Sequence, residues 1–358
     1  MTIPAPFPWF GGKRKVAHEV WAAFGDVDNY VEPFVGSAAV LLGRPASHKG
    51  HIETINDADG FVANFWRSVS HDPEGTAHHA NWPVNEIDLT ARHAWLVAHR
   101  SEITSRLEAD PDFYDVKVAG WWVWGVCAWI GSGWCSGDGP WQVVDGVLVN
   151  SNAGQGINKQ LPHLGNAGRG INKQLPHLGD AGQGINKKLP HLGDAGRGIN
   201  KQLPHLGNAG QGDAIASWFA ALSDRLRTVR VCSGDWARVV TPSVTDRHGL
   251  TGVFLDPPYS ADDYTDGLYA MAGRDAAHAC RDWAVANGDN PLLRIAYCGY
   301  DDVIFPESWT PHRWKAHGGY GGGRGGQADA NSHRETIWFS PHCVLTKAPS
   351  LFDLDGVA

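Results

Sequence analysis

Apolar side chains recur at helical spacing from Lys15 to Phe24, and the runs Asn29 to Phe34 and His51 to Asn56 read as strands. A helical pattern follows each run, at Ala38 to Leu42 and at Phe61 to Val69. The same order returns late in the chain. Asp213 stands at an N-cap position ahead of apolar residues that continue through Trp218 and Leu222 towards Leu226. Val229 to Cys232, Val253 to Leu255, Leu292 to Tyr297 and Thr336 to Phe339 then read as strands, with a helix over Asp275 to Val285. Alternating strands and helices predict an α/β fold: one open, mostly parallel sheet with helices on both faces, split by an insertion.

The insertion opens on an aromatic stretch containing Trp121, Trp122, Trp124, Trp129, Trp134 and Trp141. The first three are expected in a buried helix. The later run Gly131 to Gly137 reads as an exposed loop from which Trp134 can stack on, or wedge beside, a base. Four near-identical 14-residue units follow, with cores starting at Ile157, Ile171, Ile185 and Ile199. One proline and three glycines in each unit exclude a continuous helix. Each unit has only about four apolar side chains, too few to bury a face alone, so any ordered form must stack or lie on the main domain. Two readings stay open. The array is a tandem expansion tolerated as a surface loop, or a stack of turns whose lysines and glycine amides follow a nucleic-acid backbone. His163, His177, His191 and His205 lack cysteine or acidic partners at ligand spacing, so no metal site is expected. The predicted divisions are 1–115, the insertion 116–212, the resumed sheet 213–345 and a tail 346–358.

Charge changes this picture only locally. The net charge of the 358 residues is −8. Between Ser151 and Gly212, however, Lys159, Arg169, Lys173, Lys187, Lys188, Arg197 and Lys201 face only Asp180 and Asp194, which leaves +5. A global sum hides such a patch and neither supports nor excludes nucleic acid. The six cysteines form no C-x-x-C pair, which argues against a zinc site or disulfide scaffold and fits a reducing compartment. No apolar run is long enough for a bilayer, and Met1 to Phe10 lacks a signal-peptide pattern. A soluble intracellular protein is the expectation.

Candidate chemistry concentrates where predicted strands end. Val253-Phe254-Leu255 runs into Asp256-Pro257-Pro258-Tyr259, an apolar strand closing in a rigid polar turn. Open α/β sheets place their ligands at such carboxyl ends. This tetrad suits methylation of an exocyclic amine, whose lone pair is delocalised into its ring. The Asp256 carboxylate and the Pro257 carbonyl can accept the two amino hydrogens and draw the nitrogen towards a tetrahedral shape. Two prolines preorganise those acceptors, and Tyr259 offers a ring on which a flipped base can stack. Alone, the same tetrad is also an ordinary turn.

Three companions add to it. Glu32-Pro33-Phe34-Val35-Gly36-Ser37-Ala38 follows a strand and opens a helix, and Gly36 lets the backbone approach a cofactor closely. Glu32, Phe34 and Gly36 are therefore candidate cofactor contacts. Asp57, 21 residues after Gly36, stands at the spacing at which an acidic residue meets the ribose hydroxyls of a nucleotide-like cofactor. Trp9-Phe10-Gly11-Gly12-Lys13 joins an aromatic pair, a flexible turn and a cation suited to a cofactor carboxylate.

In this order the motifs resemble the Dam-type, α-group DNA adenine methyltransferases, over Phe7 to about Val69 and Thr228 to about Pro341, and more loosely over Val116 to Asn150. The resemblance implies a Rossmann-like methyltransferase sheet, S-adenosylmethionine as cofactor and double-stranded DNA as partner. Trp9 to Lys13 would be the amino-terminal cofactor motif, with Lys13 near the reacting centre, and Asp57 the ribose ligand. Asp235 would contact the cofactor's adenine, and Asp256 to Tyr259 would be catalytic. Trp134, Lys159, Arg169, Lys173, Lys187, Arg197, Lys201 and Arg324 are candidate DNA contacts, the last within a glycine-rich run that reads equally as a mobile loop or a linker. Ala38 departs from the family's second loop glycine, a change that matters only if φ there must be positive. The family's habits imply a solitary, phage-borne enzyme in a bacterial cytoplasm. Adenine is favoured over cytosine N4 because cytosine enzymes more often carry serine at the Asp256 position. RNA methylation and a non-catalytic binding protein on the same scaffold are the alternatives.

Overall fold

The predicted elements of both sheet-forming stretches are present, within a few residues, in the computed structural model, which describes residues 3–9, 13–49, 52–129, 134–135, 141–144, 147–150, 213–258, 268–314 and 334–344. The first stretch holds α1 (Ala17–Phe24), β1 (Asn29–Glu32), α2 (Ala39–Leu42), β2 (Ile52–Asp57) and α3 (Gly60–His71). Three helices follow: α4 (Pro73–Ala80), α5 (Glu86–Ala109) and α6 (Val116–Ala128). A small antiparallel pair, β3 (Trp141–Val144) and β4 (Val147–Asn150), comes next. Beyond the repeats lie α7 (Asp213–Leu226), β5 (Val229–Ser233), β6 (Thr251–Leu255), α8 (Leu268–Asn287), β7 (Leu293–Tyr300), β8 (Thr310–Arg313) and β9 (Glu335–Phe339). The repeat array lies outside the described residues.

Seven strands form one sheet in the order β5-β2-β1-β6-β7-β9-β8. Pairing is parallel from β5 to β7, and β9 and β8 complete that edge antiparallel. All residues of β1 and β6 are buried, as covered parallel strands require. Tyr30 and Val31, successive on β1, enter separate apolar clusters, which is the period-2 signature of a sheet packed on both faces. β5, β2, β1 and β6 are parallel neighbours, so the segments after them emerge at one end of the sheet. Those segments carry Pro33 to Gly36, Asp57, Gly234-Asp235 and Asp256 to Pro258.

Local chemistry fixes the helix starts. Asp59 accepts from Phe61 N at α3, Asn85 from Asp88 N at α5, and Asp115 from Val118 N at α6. No element is predicted over 73–109, where α4 and α5 stand. Inside the predicted insertion, α6 packs on α3 and α4 with Trp122 and Trp124 buried. Trp134 corrects the exposed-loop expectation. Its indole N–H donates to Trp122 O at 3.0 Å, and it lies so close over Gly125 that a Cβ there would be 1.8 Å from the ring. α7 also packs on α3 and α4, and its Arg225 makes a forked ion pair with Glu53 of β2, at 2.6 and 2.8 Å. Among the described residues no helix is long and apolar enough to cross a membrane, and no His, Cys, Asp and Glu group is arranged to hold a metal ion.

Candidate active site

Lys13 occupies a single 3-10 turn, Lys13–Lys15, ahead of α1, and is buried. Its Nζ lies 3.1 Å from Asp256 Oδ1 and 3.6 Å from Glu335 Oε2. An ammonium removed from water needs such counter-charges. Burial alone pulls the lysine pKa down. The carboxylates of Asp256 and Glu335 outweigh it and hold the pKa above the ordinary value, so Lys13 stays charged. The Trp314 ring stands 5.6 Å from the same nitrogen. Next to this group, burial pushes the Cys298 thiol well up, which leaves it neutral.

Glu32, the last residue of β1, is buried and accepts from the Tyr30 hydroxyl at 2.9 Å and from Leu41 N at 3.3 Å, both on Oε2. Burial, offset in part by these donors, pushes its carboxyl up to about 8. Burial thus shifts Glu32 towards its protonated form.

The glycine loop is organised differently. Gly36 has φ +44°, and a Cβ on it would lie 2.2 Å from the Trp9 indole nitrogen. Its N–H donates to Asp57 Oδ2 at 3.0 Å, and its carbonyl accepts from Trp66 Nε1 at 2.8 Å. Asp57 Oδ1 accepts from Asp59 N at 2.9 Å. Burial, then the Asp59 charge, raise the Asp57 carboxyl to about 7 against the pull of these amides. Asn56 ties the neighbouring strand ends together, donating from Nδ2 to Pro33 O at 3.0 Å and to Gly234 O at 2.9 Å. Asp235 is exposed and caps the turn Trp236–Val239 by accepting from Ala237 N at 2.8 Å. Phe34 and Trp236 stack across these loops, with ring centres 6.1 Å apart. Ala38 has φ 53° and ψ 30°, so the departure from glycine falls at a left-handed position, where a side chain costs about 1 kcal/mol or more.

These residues fit S-adenosylmethionine. Asn56 Oδ1 and Ser233 Oγ, at the ends of β2 and β5, are buried and have no hydrogen-bond partner among the described residues. They stand one residue before Asp57 and two before Asp235, so a ligand with ribose hydroxyls and an adenine amine bound there would have unpaired polar atoms to meet. The structure thus gathers Trp9, Gly36 and Asp57 in one cluster and Lys13 and Asp256 in another, with Glu32 close enough to feel the Asp256 charge. Pro257 is buried and Pro258 exposed. Tyr259, Phe10, Gly11, Gly12, Lys159, Arg169, Lys173, Lys187, Arg197, Lys201 and Arg324 lie outside the described residues. Glu335, Asn56 and Trp66 were not predicted as site residues. The available signals were a carboxylate adjoining an apolar strand and an asparagine directly before Asp57.

No curated protein matches the chain. Residues 9–93 match the family model of the D12 class N6 adenine-specific DNA methyltransferase, a span that includes Trp9, Lys13, Glu32, Gly36 and Asp57 and ends well before Asp256. This match supports an adenine methyltransferase, and the seven-stranded, mostly parallel sheet with its helices fits a methyltransferase fold.

Proposed function

We propose that the chain is a site-specific DNA methyltransferase that modifies the exocyclic N6 amine of an adenine turned out of the duplex. The observation that carries this reading is the Lys13–Asp256 pair. It joins the segment similar to adenine methyltransferases to the Asp-Pro-Pro turn at the end of the neighbouring strand β6. S-adenosylmethionine, when bound, supplies an electrophilic methyl group on a sulfonium. The remaining work belongs to the chain's own residues. Asp256 and the Pro257 carbonyl accept the two amino hydrogens, aim the nitrogen lone pair and offer a base, Asp256, for the proton the amine loses. Tyr259 stacks on the base. Asp57 and Asp235 hold the cofactor's ribose and adenine, and the Gly36 loop lets the backbone approach it. The protein works in the cytoplasm of a bacterial or phage-infected cell.

Labelled-methyl transfer to duplex DNA, followed by base-level mapping, tests this. Wild type should label adenine at a defined sequence, and Asp256→Ala should not label. Absence of label in wild type on every DNA sequence refutes the reading, and label persisting in the variant refutes the role of Asp256. The repeats, residues 116–212 more broadly, are proposed as the target-recognition part, with their lysines and arginines on phosphates. Deleting two of the four units should leave S-adenosylmethionine affinity intact, weaken DNA binding and flatten its dependence on salt.

A further inference from the structure

We infer that Glu335 is a positioning residue: with the Trp314 ring it forms a second berth for the Lys13 ammonium, which frees Asp256 to accept from an incoming amine. The inference rests on the methyltransferase reading above. Two carboxylates flank one lysine, and they differ in access. The side chains of Lys13 and Glu335 are 7% and 8% exposed, whereas that of Asp256 is 15% exposed. Asp256 follows β6, and Glu335 opens β9, on the other side of β7. The backbone fixes Glu335 firmly. It pairs with Tyr300 in the β7–β9 register, and its carbonyl accepts from Trp314 N at 3.1 Å. A carboxylate held by a strand keeps its place while a turn residue exchanges partners.

The exchange follows from the electrostatics. Asp256 cannot give its full acceptor strength to an amine while it holds the ammonium at 3.1 Å. If Lys13 simply let go, the buried cation would lose its nearer counter-charge, which is costly. Glu335 at 3.6 Å removes that cost, since a shift of about 1 Å brings the ammonium to full hydrogen-bond distance. The Trp314 ring, 5.6 Å from Nζ, attracts the same cation.

Glu335→Gln keeps the shape and removes the charge, and Lys13→Met removes the partner. With the full chain, Glu335→Gln should lower kcat for methyl transfer about tenfold or more while S-adenosylmethionine affinity, measured by calorimetry, stays within about twofold. In the Lys13→Met background the same substitution should cause no further loss, because a residue acting through Lys13 has nothing left to act on. Unchanged kcat in Glu335→Gln, or an equal loss in both backgrounds, overturns the inference. Thermal melting of the four chains tests the berth without activity. Lys13→Met takes this cation from Glu335, so Glu335→Gln should lower the melting temperature less in that background than in wild type; an equal or larger fall overturns the pairing. A wild type that methylates no DNA refutes the methyltransferase reading instead, and the melting series still decides whether Glu335 holds Lys13.

Discussion

Two clusters meet at the carboxyl ends of the parallel strands, and different forces hold them. Around Gly36 the bonds run mostly between side chains and backbone: Asp57 to the Gly36 amide, Trp66 to its carbonyl, Asn56 to Pro33 and Gly234. That cluster is a matter of fit, with the Trp9 indole filling the place a Cβ would take. Around Lys13 the bonds run between full charges, and shape matters less than their balance. A volume change should therefore break the first cluster and spare the second, and a charge change should do the reverse.

The largest effect separates chemistry from binding. Asp256→Ala should lower methyl transfer by a factor of 10² to 10³ or more, with S-adenosylmethionine still bound; calorimetry beside single-turnover assays checks both halves. Gly36→Ala is the opposite probe. It adds one methyl group against Trp9 at a positive φ, and should cut cofactor affinity about tenfold or more, with part of the loss restored by Trp9→Ala. Asn56→Ala leaves two strand-end carbonyls without their donor and should cost about 1–3 kcal/mol in chemical denaturation.

A pH series sharpens the contrast further. Glu32 is raised from 4.5 to about 8, so the folded chain binds a proton there that the unfolded chain has lost. Stability from this group is complete below about pH 4.5 and declines as pH rises through 8. Asp57 acts in the same direction between about 4 and 7. Denaturant midpoints should fall across this range, and Glu32→Gln should flatten the decline. The smallest effect is expected at Ala38→Gly, which relieves a left-handed alanine and should gain about 1 kcal/mol or less.

Strands and motif positions could be read from the sequence wherever local pattern and tertiary role coincide. Val253 to Leu255 is apolar because it is covered on both faces, and Asp57 ends a strand because its carboxylate holds the Gly36 loop of the neighbouring strand. Helix α5 escaped prediction because its buried positions include Arg92 and His93, which blur an apolar stripe. Arg92 is buried because its guanidinium lies against Trp124, Trp121 and Trp82, at 4.3, 5.0 and 5.2 Å, partners no local window contains. Trp134 departs from the exposed-loop expectation for a related reason. Its glycine-rich neighbours suggest exposure, while its actual neighbour is Gly125, placed by α6. Glu335 and Asp256 are 79 residues apart and become one site only through Lys13.

The helices that bracket the repeats, α6 and α7, rest on the same pair, α3 and α4, and Arg225 fastens the returning chain to β2. The core therefore fixes where the intervening chain leaves and where it comes back. If the array is the tolerated surface loop of the first reading, a gained or lost unit changes only a closure entropy that grows with the logarithm of length, about 0.6 kcal/mol per doubling. Replication slippage in such a gene would meet little resistance from folding. Under the proposed recognition role, copy number would be a trait that selection can tune apart from the sheet that carries Lys13 and Asp256.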